Sequence, residues 1–489
     1  MTEILLTADK SLMNNFHLKG DIAFPFYGSG EVFPRWLFNL LIGKPYHKNG
    51  IAKYAPYPLR KIEAILLDKG FDVLTICPDF LQEYIKDAKI LAIHTVDPLA
   101  LASQPFFYEA IKGNEQYASV FFKKLLEKPC IKKARKDGLK IVVGGEGAWQ
   151  LKKKQDSYIS HQVDHVVIGE GEIITPILFK KLLDGKSNPK FIDRDNDNSP
   201  SINEIPSIRN ASNFGCIEIG RGCNRKCKFC EVTKSNLRWY PFDKIEEELR
   251  INKQNGLKKG LIHAEDVFLY GQNGFIPDDK KLIKLFNLVY KYYDKFIVSH
   301  FSLAAVQANR NLFEKLMEIS LSHQNFMMGE AGIETASIRL MKETMSGKVL
   351  PFKPDDWQNI IMDSLSLMHD NNFIPYCSLI IGLPGEKDDD IIKTLELIDD
   401  LKHFRFILLP SAFTPLGRYI NFDSNKPSIS SLDSLNRELV VKCETHNSKW
   451  INSMGKTILN KEVSYRLLSK LWYAQSFIKG TIRHYKTHF

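Results

Sequence analysis

Short β-branched runs alternate with amphipathic stretches twice along this chain, and few folds are open to a chain written that way. Between residues 19 and 185 the runs "FDVLTI", "AKILAIHT", "LKIVVGG" and "VDHVVIG" each stand near the end of a strand–helix unit. The stretch "LRKIEAILLDKG" sets Leu59, Ile62, Ile65 and Leu66 on one helical face and stops at Gly70, a natural C-cap position. Short buried strands spaced by helices are the grammar of a parallel, doubly wound sheet. A second series, "GCIEIGRG", "LIHAEDVF", "FIVSHFSL", "MMGEAGIE", "IPYCSLIIGLPG" and "FRFILLPSAFTP", supplies six more strand candidates. A partial parallel barrel of the (β/α)6 type is expected there. Residues 186 to 206, rich in Asn, Asp, Ser and Pro without periodicity, read as a linker between the two. The α/β organisation expected is an N-terminal extension (1–18), a Rossmann-like domain (19–190), a linker (191–210), the barrel (211–420) and a helical region (421–489). In the last, Leu432, Leu435, Leu439, Trp450, Ile451, Leu467, Leu468 and Leu471 offer core faces.

Composition narrows the class. With 489 residues, 44% hydrophobic and 25% charged, the chain is globular and long enough for two or three cores. No basic start leads into an apolar core, and no apolar run reaches the roughly 18 residues that span a bilayer. A cytoplasmic protein with reduced thiols is expected. Cys77, Cys130, Cys216, Cys377 and Cys443 are scattered singly among eight cysteines, which argues against a disulfide framework and for buried small side chains. The net charge of +10 admits nucleic acid or an anionic membrane surface as partner. The lysines are spread as in "LKKKQ", however, so solvated helix faces account for most of them and nucleic acid is set aside.

The other three cysteines lie within "GCNRKCKFCEV": Cys223, Cys227 and Cys230 at C-x3-C-x2-C. Three thiolates on a loop after a strand suit three irons of a 4Fe-4S cluster and leave the fourth iron open for a ligand. The alternative is a structural zinc loop with a distant fourth donor such as Cys216 or Cys377. The motif, with the aromatic Phe229 before the last cysteine, closely resembles that of the radical S-adenosylmethionine (SAM) superfamily. That resemblance implies one cluster per chain and SAM chelated at the open iron. It further implies cleavage of SAM to methionine and a 5′-deoxyadenosyl radical that abstracts hydrogen from unactivated carbon. "LIHAEDVFLYG" resembles the family's acidic motif, so Glu265 or Asp266 would accept SAM's amino group. "GIETASIRLMKETMSGK" resembles the stretch that sets a polar residue, Glu334, near the ribose. "IIGLPGEKDDD" resembles the loop whose Gly382–Pro384 turn leaves backbone groups near adenine. His300 and Ser302, two apart in "VSHFSLAAV", are further ribose candidates on one strand face.

The first domain resembles the cobalamin-binding module that precedes many radical SAM domains, on the strength of "IVVGGEGAW" and "VDHVVIGEGE". It departs in one respect. The Asp-x-His-x-x-Gly sequence that supplies a histidine to cobalt is absent, and "HTVDPLALASQP" stands in its place, so the domain is expected with or without cobalamin. Gly144, Gly145 and Gly147 also read as turn glycines. Two reactions fit: cyclopentane-ring formation in archaeal tetraether (GDGT) membrane lipids, the favoured expectation, and radical C-methylation through cobalamin. A non-enzymatic iron–sulfur scaffold ranks last. A tetraether lipid substrate, a ferredoxin or flavodoxin reductant and peripheral contact with the inner membrane surface through "FPFYGSGEVFPRWLFNLLIG" complete the expectations.

Overall fold

The first sheet begins earlier in the chain than periodicity implies. In the computed structural model, which describes residues 2–14, 45–102, 117–193, 199–232, 235–419 and 431–458, a strand β1 (Ile4–Ala8) is fully buried. It joins β2 (Val73–Thr75), β3 (Ile90–His94), β4 (Lys140–Gly144), β5 (His165–Ile168) and β6 (Phe191–Asp193). All pairings are parallel and the order is β2-β1-β3-β4-β5-β6. The expected extension therefore supplies an internal strand, missed because no amphipathic stretch directly follows "ILLTA" to mark a strand–helix unit. The expected linker also yields β6 at its start. It then folds a capped turn at Ile202–Glu204 and buries Ile205 and Ile208. The order reverses around β1, which opens a crevice between the C-terminal ends of β1 and β3, the usual ligand position in such sheets.

Helix α1 (Tyr57–Asp68) buries Leu59, Ile65 and Leu66 against this sheet and ends at Gly70, whose φ is 78°. Its opposite face is buried too. Arg60, Lys61 and Glu63 are 1%, 1% and 4% exposed, because this face meets the second domain. Arg60 bonds Glu63 at 2.8 Å and the Ala211 carbonyl at 3.0 Å, and Lys61 pairs with Glu248.

The second domain opens with β7 (Cys216–Glu218), then an antiparallel ribbon of β8 (Gly220–Arg221) and β9 (Arg238–Trp239). Strands β10 (Lys259–His263), β11 (Lys295–Val298), β12 (His300–Phe301), β13 (Met327–Glu334), β14 (Phe373–Ile381) and β15 (Ile407–Ala412) follow. They pair in parallel as β11-β10-β7 and β12-β13-β14-β15. Ser299 joins the two sets: its N–H donates to Ile262 and its carbonyl accepts from Glu330, at 2.9 and 2.8 Å. The result is the expected six-position partial barrel. At its β7 edge Tyr57 of α1 packs on Cys216 and Leu261. At its β15 edge the Asn447 side chain, on helix α2 (Ser434–Ile458), exchanges both hydrogen bonds with Leu408 at 2.8 Å, as a further strand would. Leu432 and Leu439 are buried as expected, while Leu467, Leu468 and Leu471 lie outside the described residues, as do residues 24–43 of the proposed membrane contact. Among the described residues no helix is long and apolar enough to cross a membrane.

Strand alternation sorts the barrel's side chains. Ile217, Ile262, Val298, Ala331 and Cys377 join the core on the helix side, so Cys216, Leu261, Ile297, Met328, Ile374 and Ile407 face inward. Further along the same strands the inward positions are polar: Glu218 beside His263, and His300 beside Glu330 and Tyr376.

Candidate active site

The cysteine loop is the excursion between β8 and β9. Gly222, with φ 83°, lets the two arms cross, since a Cβ there would lie 2.5 Å from the Asn236 carbonyl oxygen. Beyond it Cys223, Cys227 and Cys230 are not joined in disulfides; Cys227 is buried and the other two are partly exposed. They lie close enough to act on one another's ionisation. Burial pushes Cys223 up to about 11 and Cys230 up to about 12, and raises Cys227 by the same cause. Any metal bound there would have to displace those protons. Among the described residues no three His, Cys, Asp or Glu side chains converge on a single metal ion, whereas the thiolates of a cube each take a separate iron. Cys216 lies inside the barrel and Cys377 in the helix-side core, both buried. Phe229 packs against the barrel core from the loop.

Arg225, between the first two cysteines, anchors the loop. It is 5% exposed and its guanidinium donates to Ser302 Oγ at 2.6 Å and Asp266 Oδ2 at 3.2 Å. It also reaches the carbonyls of Lys348 at 2.7 Å and Leu350 at 2.9 Å. Ser302 donates to Asp266 as well, at 2.5 Å. This resolves the acidic motif. Asp266 is consumed by the clamp, and burial raises its pKa against the pull of Arg225. Glu265 is partly exposed, has no hydrogen bond or ion pair among the described residues, and lies close enough to act on Cys230. Of the acidic pair it is the carboxylate that the clamp does not engage.

His300 and Ser302 do not share a strand face. Strand β12 ends at Phe301, and Ser302 caps helix α3 (Leu303–Ala308) by accepting from Ala305. Ser302 therefore lies within the Arg225 clamp. His300 turns to Glu330, 3.7 Å away, and to the His263 ring, edge to face at 5.7 Å. Its Nδ1 is buried without a hydrogen-bond partner among the described residues.

Glu334 closes β13 with φ 63°, where the register with β14 shifts. It pairs with Lys348 at 2.9 Å and accepts from Ser378 at 3.0 Å. Burial disfavours the Lys348 ammonium, but Glu334 and Cys227 outweigh it and raise its pKa. A fixed cation thus stands beside the thiols. In the "GLPGE" loop Gly382 has φ 81° and its N–H is not free: it donates to Glu386 Oε2 at 2.8 Å. Pro384 is partly buried and helix α4 (Asp388–Leu401) begins only beyond it. Arg225 and Lys348 escaped sequence reasoning, although both stand inside stretches already singled out, as cations next to thiolates and carboxylates.

The first domain presents its strand ends to the same region. His94 is buried 3.7 Å from Glu146. Burial lowers the pKa of His263 in the barrel, and Glu146 lies close enough to be among the carboxylates that oppose that shift. Gly145, with φ 109°, is more than a turn glycine, because a Cβ would lie 2.5 Å from His94 Nδ1 and from the Thr95 carbonyl oxygen. At the crevice between β1 and β3, Asp9 Oδ2 and Thr95 Oγ1 are buried without hydrogen-bond partners among the described residues. Burial carries Asp9 up to about 7. Orphaned polar atoms at that crevice fit a ligand with hydrogen-bonding groups, as a corrinoid has.

Glu170 and Glu172, in the "GEGE" stretch, reach across to the loop's ribbon. Arg221 meets Glu170 at 2.9 Å and Glu172 at 2.7 Å, and Arg238 meets Glu170 at 2.6 Å. Burial pushes Glu170 up, and Arg238 and Arg221 more than reverse it.

Comparison with known proteins agrees with this geometry. Residues 217–398 match the model of the Radical SAM superfamily. The tRNA-2-methylthio-N(6)-dimethylallyladenosine synthase of Thermosipho melanesiensis is 24% identical over 320 residues, 63% of this chain and 69% of that protein. The ribosomal protein uS12 methylthiotransferase RimO of Chlamydia felis is 24% identical over 289 residues, 54% of this chain and 55% of that one. The chain thus spans between about half and two thirds of these relatives' length. The structure of the radical S-adenosylmethionine methyltransferase TsrM from Kitasatospora setae, with cobalamin and a 4Fe-4S cluster bound, superposes with a TM-score of 0.53 at 13% identity. It covers 84% of this chain and 75% of that one, so the two-domain fold is shared.

Proposed function

We propose that this chain, whose barrel belongs to the radical SAM superfamily, is a radical SAM enzyme that methylates an unactivated carbon with a corrinoid on its first domain. Superfamily membership implies a 4Fe-4S cluster and SAM. Cys223, Cys227 and Cys230 would hold the cluster, Glu265 the amino group of SAM, and Glu334 with Lys348 the ribose side. A corrinoid, when bound, supplies a carrier for the methyl group of SAM. The chain's own part is to hold the two domains so that the β1/β3 crevice and the cysteine loop share one chamber. The observation that carries the reading is the pair of orphaned atoms, Asp9 Oδ2 and Thr95 Oγ1, at that crevice in a sheet that packs on the barrel.

Tetraether ring formation, the earlier expectation, is not carried forward. The relatives compared are named for methyl or methylthio transfer. An aliphatic chain in the barrel would also lie against His300 and Glu330, partly exposed polar side chains that it would take out of water at a cost. Methylthio transfer needs a sulfur source as well. A second cluster would require another group of cysteines, and the five outside the loop are scattered singly. Electrons would come from a ferredoxin- or flavodoxin-like partner.

Protein reconstituted with hydroxocobalamin should retain the corrinoid through gel filtration. Thr95→Val, which deletes one hydrogen-bonding group, should weaken retention about tenfold. A colourless first domain in protein that still transfers methyl groups would reject the reading.

A further inference from the structure

We propose that Glu170 of the first domain is a positioning residue for the cysteine loop of the barrel. The proposal rests on Cys223, Cys227 and Cys230 being cluster ligands and goes beyond that reading. Strands β8 and β9 form the neck of the loop, with Gly220 opposite Trp239 and Arg221 opposite Arg238. Two guanidinium groups directly across an antiparallel pair repel each other, and such pairs destabilise the ribbon that carries them. Glu170 answers both charges at once. Its Oε2 accepts from Arg221 Nη1 at 2.9 Å, and its Oε1 accepts from Arg238 Nη2 at 2.6 Å and from Ser235 Oγ at 3.3 Å. One carboxylate from the other domain therefore ties the outgoing and returning arms of the loop together.

The remaining contacts make Arg221 the fixed point. Glu172 holds its Nη1 at 2.7 Å and Glu218 its Nε at 2.7 Å, and Tyr240 in turn donates to Glu218 at 2.8 Å. Enclosed by three carboxylates, Arg221 cannot turn aside when Arg238 approaches. Every charged side chain in the network is at most 17% exposed, so salt screens it weakly. Cys223 follows Arg221 by two residues, so the direction of the first thiolate depends on how the neck is closed. The first domain thereby sets the geometry in which the cluster meets SAM, from outside the barrel.

The test compares wild type, Glu170→Gln and the double variant Glu170→Gln/Arg238→Gln. Each is reconstituted with iron and sulfide, and SAM affinity and the EPR spectrum of the reduced cluster with and without SAM are measured. Glu170→Gln keeps the size of the side chain but leaves the facing arginines without their shared counter-charge. It should bind SAM about tenfold more weakly and show an altered spectral response to SAM. Neutralising Arg238 removes the repulsion, so the double variant should recover toward wild type. A role in domain packing alone would make the second substitution add damage. Wild-type behaviour in Glu170→Gln, or a double variant worse than the single, overturns the proposal. Should Glu170→Gln load iron poorly, the same comparison decides on iron content: recovery in the double variant supports the proposal and further loss overturns it. A wild-type protein that takes up no iron would instead overturn the cluster reading, and this proposal with it.

Discussion

Residues next to one another in the chain carry different duties here, and the acidic pair after β10 is the sharpest case. Asp266 is clamped by Arg225 and Ser302, while Glu265 lies close to Cys230 with no hydrogen bond or ion pair among the described residues. Glu265→Gln should therefore weaken SAM binding about 10- to 100-fold, the cost of a charge-assisted hydrogen bond, and leave thermal unfolding unchanged. Asp266→Asn should do the reverse in first effect, lowering stability by about 3 kcal/mol or more because it strands a buried guanidinium. Calorimetry and SAM titration on the two variants check this, and equal effects on both properties would contradict the division of roles. The sequence pattern left Glu265 and Asp266 open. Only the fold shows that Arg225, forty-one positions earlier by number (266 − 225), reaches one of them. The cysteines were legible because their spacing is local. The arginine that orients them was not, because its partners lie on three separate elements.

At the scale of elements, the central strands β2 to β5 and the six barrel positions could be read from apolar runs, since strands buried on both faces need no alternation to stand out. Strand β1 was missed because no amphipathic stretch directly follows it, and β6 for its polar surroundings. The charged face of α1 reads as solvent-facing in any periodicity argument, yet Arg60, Lys61 and Glu63 are enclosed because a second domain lies over them. The loop leading into α4 makes a pH prediction. Burial pushes Glu386 up to about 7 from an ordinary 4.5, although the Gly382 N–H favours its charged form. The folded state therefore holds this proton more tightly than the unfolded one. Its contribution is fully present below pH 4.5 and is lost as pH rises to about 7, at most about 3 kcal/mol. Glu386→Gln keeps an acceptor for Gly382 and should abolish that part of the dependence. Melting temperatures of wild type and variant should converge at low pH and separate above neutrality, with the variant higher. Parallel profiles would contradict the assignment.

Across the whole molecule, two parallel sheets meet so that the strand ends of one face the mouth of the other. Lys61 with Glu248 and Glu170 with Arg221 and Arg238 hold that arrangement. The order of the two domains was legible in the sequence. Their chemistry was legible only as a resemblance to a superfamily, since substrate choice rests on inward side chains that strands from distant parts of the chain bring together. The central claim is that this chamber couples radical formation to methyl transfer. Methyl transfer from SAM leaves S-adenosylhomocysteine, whereas reductive cleavage leaves methionine and 5′-deoxyadenosine. The most direct measurement is the mass-spectrometric yield of both products from SAM, using protein reconstituted with iron, sulfide and hydroxocobalamin and supplied with a reductant. Both should form, and both should vanish in Cys223→Ala, Cys227→Ala and Cys230→Ala. Formation of 5′-deoxyadenosine without S-adenosylhomocysteine, or persistence of either product in a cysteine variant, would contradict the account.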